Sequence, residues 1–187
     1  MSDINGDTFV HVKGLSALQK AMDELPAKIE ANIMRAALAA GARVIRDRAR
    51  AICPLEVDPP GNNTYKKSLG WTPGALKRSL KVSSRLDRAA GRVTATVRAG
   101  DKVAYYAKWV EFGTAAHWIK SKNKQVLFFN GRAVRAVEHP GARKNPFMRI
   151  AMDAEAQRAL LAVGQRIQKR LTADGINTPD LAVGDTE

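Results

Sequence analysis

Cysteine is nearly absent: Cys53 stands alone in 187 residues. No disulfide framework can form within the chain, and a reducing compartment fits. Histidine is almost as scarce, with only His11, His117 and His139. No two of them, and none with Cys53, has the spacing of zinc ligands on one element. A site gathered in space from His117, His139 and Glu138 is the one metal arrangement left, and His139 before Pro140 reads instead as a hydrogen-bonding turn residue. Long apolar runs are missing too. None approaches the ~20 residues that span a bilayer, and the polar opening Met1–Asp7 is followed by no apolar signal core, so the expectation is a soluble protein, with no membrane segment, that stays where it is made. Acidic residues are the last shortage: 18 Asp and Glu stand against 31 Lys and Arg, a net charge of +13.

That excess implies an acidic partner, whether nucleic acid, an anionic membrane or acidic protein surfaces, and charge alone does not separate the three. Otherwise the composition is that of a folded protein, 45% apolar and 26% charged, in a chain long enough for one domain with a real core. Residues 1–172 read as that domain and 173–187 as an acidic tail or arm, disordered in isolation or ordered on assembly.

Along the chain, Leu15, Leu18, Met22 and Leu25 form one apolar stripe, predicting a first helix to about Leu25, where Pro26 ends it. Phe9, Val10 and Val12 before it could form a short edge strand. A second helix follows to about Ile52, with Arg35, Arg43, Arg46 and Arg50 lining one face. Its Ala- and Gly-rich run, Ala36 to Ala42, suits a helix lying close against a sheet, and Pro54 closes it. Residues 54–74 are a loop by composition, rich in Pro, Gly and Asn, and long for a compact domain. Tyr65, Leu69 and Trp71 within it call for packing, either on its own domain or on a neighbouring subunit.

Leu76–Val82 reads as a helical turn or the start of a strand. Arg92–Ala99 is the clearest strand, with Val93, Ala95, Val97 and Ala99 alternating against Arg92, Thr94, Thr96 and Arg98. Tyr105–Phe112 satisfies helical spacing while its aromatics favour a strand; a short helix is preferred because Gly113 then caps it. Gln125–Phe129 and Arg132–Val137 flank Asn130-Gly131, a strong two-residue hairpin signal. Asn145 as N-cap and Pro146 at the first helical position predict a C-terminal helix from Phe147 to about Leu171. The expected class is α+β: an antiparallel sheet with a β-hairpin, packed against two N-terminal helices and one C-terminal helix.

Catalytic chemistry finds little support. Cys53 falls at a helix C-terminus, where the dipole raises a thiol pKa, and reads as a buried filler. No Gly-x-Ser-x-Gly elbow exists, and Gly61, Gly70 and Gly74 do not form a phosphate loop. Glu111 and Glu138 lack the further acids that a magnesium site needs, so Glu111 reads as a structural ion pair or cap contact. No enzyme activity, cofactor or metal is expected. The basic surface is the stronger lead. Residues 66–108 carry Lys81, Arg85, Arg92, Arg98 and seven more cations against Asp87 and Asp101, and residues 117–150 carry Lys120, Lys122, Lys124, Arg132, Arg135, Arg143, Lys144 and Arg149 against Glu138. Either these cations meet DNA phosphates, with a steep salt dependence, or they seat the protein on acidic subunits. No helix-turn-helix, zinc finger or regular aromatic interleaving favours the first. The aromatics Trp71, Tyr105, Trp109, Trp118 and Phe128 among arginines have the composition of subunit contacts.

Two blocks also carry a family resemblance: Val110-Glu-Phe-Gly-Thr114, and His139-Pro-Gly-x-x-x-Asn-Pro-Phe147 leading into the last helix. With Gly14-Leu-x-x-Leu18, Leu25-Pro26, Cys53-Pro54 and Gly74-x-Leu-Lys-Arg-Ser79, the chain resembles, over about residues 12–155, the siphophage tail-component family typified by gene product ten of the HK lambdoid phages. Proteins of that family are similar to minor tail protein Z and act as neck or tail-completion components. The loop at 54–74 is longer than usual for the family, and Ala142 stands where a Thr is common. The resemblance implies a virion protein, made in the host cytoplasm and forming a ring, hexameric by analogy, at the head-proximal end of the tail. As tail completion or tail terminator protein it would join tail to head, against the major tail tube protein and head-stopper or connector proteins. Contact with passing DNA would be non-specific; the alternative is a basic protein acting directly on viral DNA. Candidate contact residues are Trp71, Arg92, Arg98, Tyr105, Trp109, Glu111, Phe112, Trp118, Lys120, Lys122, Arg132, Arg135, His139, Arg143 and Phe147.

Overall fold

The computed structural model describes residues 12–13, 15–23, 27–55, 73–121, 126–129, 131–175 and 182–183. The expected contacts Trp71 and Lys122, with Phe9, Val10, Tyr65 and Leu69, lie outside the described residues. The class is α+β, and its axis is a pair of long helices, α2 (Ala27–Ile52) and α5 (Phe147–Ala173). At 1.5 Å per residue each is about 40 Å long. They run antiparallel: Ile33 and Ala37 of α2 pack with Ile167 and Leu171 of α5, while Ala49 and Cys53 pack with Phe147 and Ala151.

The apolar side chains gather at the two ends of this pair. At one end α1 (Leu15–Asp23) lays Leu18 and Met22 into the Ile33–Leu171 cluster, as its stripe predicts. At the other, Leu76 of α3 (Ala75–Ser79), Leu80, Ala104 and Ala107 close over Cys53 and Phe147. Between the clusters the helices touch almost backbone to backbone. A Cβ on Gly41 would lie 2.7 Å from the carbonyl oxygen of Ala159 and 2.7 Å from Val163 Cγ2. The small-residue run was expected against a sheet, but at Gly41 its closest partner is the C-terminal helix. Glycine costs a helix interior about 1 kcal/mol relative to alanine, and here the close approach requires it.

The strands form four two-stranded antiparallel ladders among the described residues, where one sheet was expected. β2 (Lys81–Asp87) and β3 (Arg92–Arg98) make a ribbon in full register, Lys81 opposite Arg98 through Asp87 opposite Arg92. It lies along α2, anchored where Arg50 donates to the Leu80 carbonyl at 2.7 Å. One of the arginines expected to line a helix face thus holds the ribbon's start. Buried Ser79 ties the same corner, accepting from Gly100 N at 2.9 Å and donating to the Leu76 carbonyl at 2.7 Å. β1 (Val12–Lys13) pairs with β8 (Ala182–Val183), so the acidic tail returns to the N-terminal segment.

Gly41→Ala adds a methyl group against a fixed backbone oxygen. Overpacking of about 1–3 kcal/mol outweighs the gain in helix propensity, so chemical denaturation is expected to show a net loss of about 1–2 kcal/mol. Unchanged or higher stability would contradict the close packing.

Candidate assembly interface

The two blocks that carry the family resemblance meet in space and form one joint. α4 (Ala107–Phe112) ends as expected at Gly113, whose N–H donates to the Trp109 carbonyl at 2.8 Å. With φ 73° and ψ −176°, Gly113 occupies a region essentially closed to other residues. A Cβ there would also lie 2.6 Å from the Ala142 oxygen. Beyond it Thr114 and Ala142 exchange backbone hydrogen bonds of 3.0 and 3.1 Å, and Thr114 Oγ1 accepts from Ala142 N at 2.9 Å. Ala142 takes part through its backbone, so no particular side chain is needed there for this bridge. Gly141, at φ 90°, faces Thr114 and Ala115 with no room for a side chain.

Glu111 completes the joint. Its carboxylate accepts from Met148 N at 2.9 Å and from Arg149 N at 3.1 Å. Two of the orphan amides of α5 are thereby satisfied, and a negative charge stands at the positive end of the helix. This corrects the expected Asn145 cap. Pro146 is the N-cap, no side chain of its own caps the helix, and Asn145 instead donates its N–H to the Val110 carbonyl at 2.8 Å. The cap arrives from 37 residues upstream, a distance at which no local capping rule operates. Phe147, expected at a contact, is only 1% exposed and belongs to the core.

From this joint the described residues between 114 and 142 extend as a hairpin arm. β4 (His117–Lys120) pairs with β7 (Ala136–His139), Ser121 N donates to the Arg135 carbonyl, and β5 (Leu127–Phe129) pairs with β6 (Arg132–Val134). Phe129 pairs with Arg132, so the connection falls where the hairpin signal places it, with Gly131 at φ 74°. Among the described residues the arm makes at most slight contact with the helices. All four residues of β4 are exposed, Trp118 at 60%. Lys120, Arg132 and Arg135 are exposed on the same arm.

At the arm's root lies an apolar groove of about 350 Å³, lined by Leu55, Leu76, Tyr106, Trp109, Val110 and Arg143 among others. Trp109 stands edge-on to Tyr105 at 5.6 Å, with Lys108 Nζ 5.7 Å from its ring. Phe112 is 72% exposed. Tyr105, Trp109, Phe112 and Arg143 thus share one region with the arm's root, whereas Arg92 and Arg98 lie apart on the ribbon. Leu55 was not singled out by sequence; its place directly after the Pro54 break was the available signal.

His117 and His139 sit opposite each other with rings 5.1 Å apart, and each Nδ1 is engaged, by the Ala115 carbonyl and by Gly141 N respectively. His139 is therefore a hydrogen-bonding turn residue, as expected. Glu138 pairs with Trp118 on the other face, and no three metal-ligating side chains gather among the described residues. Cys53 is buried, and burial pushes its thiol up, with Lys77 opposing weakly.

Two outcomes follow. Glu111→Ala leaves two helix amides without acceptors and is expected to cost about 1–2 kcal/mol by denaturant titration, with Glu111→Gln, which keeps an acceptor oxygen, losing less; equal stability of all three proteins would contradict the cap. For Cys53, alkylation in the native state should be far slower than in denaturant. Because the folded thiol keeps its proton after the unfolded thiol has lost it, stability should fall as pH rises past about 8.5, the ordinary thiol value; fast alkylation at neutral pH would contradict the burial.

Comparison with known proteins gives one family. The family model described as "Bacteriophage HK97-gp10, putative tail-component" matches residues 16–113. The match ends at Gly113, the arm's root, so the arm, the His139–Phe147 block and α5 lie beyond it. No curated protein and no solved structure matches. Matched over more than half its length, the chain belongs to the HK97-gp10-like family of bacteriophage tail components.

Proposed function

We propose that this tail component is a ring-forming tail completion or tail terminator protein, placed at the head-proximal end of the tail and joining it to the head. Copies associate head to tail into a closed ring, hexameric in the simplest form, since heterologous contacts close into rings when the rotation allows. The ring seats on the major tail tube protein on one side and on head-stopper or connector proteins on the other. In this reading residues 1–172 act as one tail domain and 173–187 as an arm, β3 and the hairpin strands lie toward the ring, and the hairpin arm and residues 54–74 reach neighbouring subunits.

The observation that carries the proposal is the arm. A two-stranded hairpin is at best marginal alone in water, yet this one leaves the body bearing an exposed tryptophan, an exposed isoleucine (Ile119) and several cations. Aromatic and arginine side chains are what subunit interfaces bury at their centres. The root is held by two obligatory glycines and a carboxylate cap, a rigid mounting for a surface made to be covered. The function is accordingly structural, a stable annulus with defined faces rather than a reaction.

Trp109→Ala and Trp118→Ala remove exposed rings, so both variants should melt within a few degrees of the parent. In phage production each is expected to yield tails that fail to join heads, scored by electron microscopy and plaque titre. Normal infectious particles from both variants would contradict the proposal.

A further inference from the structure

The arm carries aromatics with its cations; the β2–β3 ribbon does not. Alternate residues of the ribbon, Val82, Ser84, Leu86, Val93, Ala95 and Val97, are half-buried along α2. The opposite face presents four cross-strand rows: Lys81 with Arg98, Ser83 with Thr96, Arg85 with Thr94, and Asp87 with Arg92. All are exposed except half-buried Thr96, and none is aliphatic or aromatic. Rows repeat about every 7 Å along the strands, so the face runs about 20 Å.

Two features show that this face is short of counter-charge. Lys81 stands directly opposite Arg98, a like-charge pair that destabilises a ladder by itself. The only carboxylate on the face, Asp87, gives Oδ1 to the amides of Ala89 and Ala90 in the turn. The ion pairs among the described residues lie on α2 and α5, and none involves Lys81, Arg85, Arg92 or Arg98. At the turn end Arg85, Arg88 and Asp87 join Arg35 and Asn32 of α2 around a polar recess, three cations against one carboxylate, extending the cationic strip onto the helix.

We infer that the outward face of the β2–β3 ribbon is a seat for the phosphodiester backbone of duplex DNA. Arginine, lysine, serine and threonine are the side chains that contact phosphate oxygens, and interfaces with nucleic acid are polar and strongly positive. A protein partner would call for an apolar centre, which this face lacks. A single strand would call for aromatic platforms on which bases stack, and none is present. Binding is therefore to the backbone of a duplex and blind to sequence. The inference deepens the tail reading by assigning its contact with DNA to one surface, and it is tested on purified protein, apart from tail joining.

Affinity for a fluorescent 30-base-pair duplex is measured from 50 to 200 mM salt for the parent, for Lys81→Gln/Arg85→Gln/Arg98→Gln, and for Lys120→Gln/Arg132→Gln/Arg135→Gln on the arm. Each phosphate contact contributes about 0.9 to the slope of log affinity against log salt. The ribbon variant should flatten that slope by about 2.7, the arm variant should leave it unchanged, and neither should melt below the parent. Two duplexes of unrelated sequence should bind alike, and polyglutamate or single-stranded DNA more weakly than duplex. No duplex binding at 50 mM salt, an unchanged slope in the ribbon variant, loss in the arm variant instead, or preference for polyglutamate or single strands would each overturn the inference. A ribbon variant that loses duplex binding yet still joins tails to heads would separate this surface from the assembly role.

Discussion

A single carboxylate joins the two halves of this protein. Glu111, at the end of a short helix, accepts from the first amides of the long C-terminal helix. Around it, Gly113 and Gly141 let two chain segments approach where side chains would collide, and the Thr114–Ala142 bridge fixes where the arm begins. Phe147, one residue past the cap, drives into the core beside Cys53 and Ala151. The start of a core helix and the root of an exposed arm are thus set by the same few residues. A change at the joint acts on both.

The molecule separates its surfaces by chemistry. Apolar and aromatic exposure concentrates on the arm and around its root, with Trp118 on the hairpin and Trp109, Tyr105 and Phe112 beside the groove. The ribbon shows only cations, hydroxyls and one engaged carboxylate. The net charge of +13 is therefore distributed over faces of different kinds. Desolvated aromatics suit contacts with other proteins, and a dry, fixed geometry is what such contacts reward. A face of cations and hydroxyls suits a solvated polyanion.

Much of this was legible in the sequence where the signal is local. Pro54 ended α2, Leu15, Leu18 and Met22 marked the buried stripe of α1, alternation marked β3, and Asn130-Gly131 marked the hairpin turn, because each depends on residues a few positions apart. Gly113 was readable as a cap from its place after an amphipathic turn, and Glu111 as a structural ion pair or cap contact from the lack of acidic neighbours. What escaped was long-range. The capping partner of Glu111 lies 37 residues downstream, so Asn145-Pro146 looked self-sufficient. The run Ala36 to Ala42 signals close approach but not to what, and α5 rather than a sheet met Gly41. Alternating strands suggested one sheet, whereas the long hairpin leaves the body and divides them into separate ladders. Phe147 stood among the contact candidates because an aromatic after Asn-Pro carries no mark of which side it faces.

The central claim is that a rigid joint holds out an arm that remains uncovered until the protein meets its neighbours. Amide hydrogen exchange, read residue by residue on the free protein and on assembled tails, tests it most directly. The amides of Met148 and Arg149 should be protected in both states, while those of residues 117–139 exchange fast in the free protein and become protected on the tail. An arm already protected in the isolated chain, or still fast-exchanging on the tail, would contradict the account.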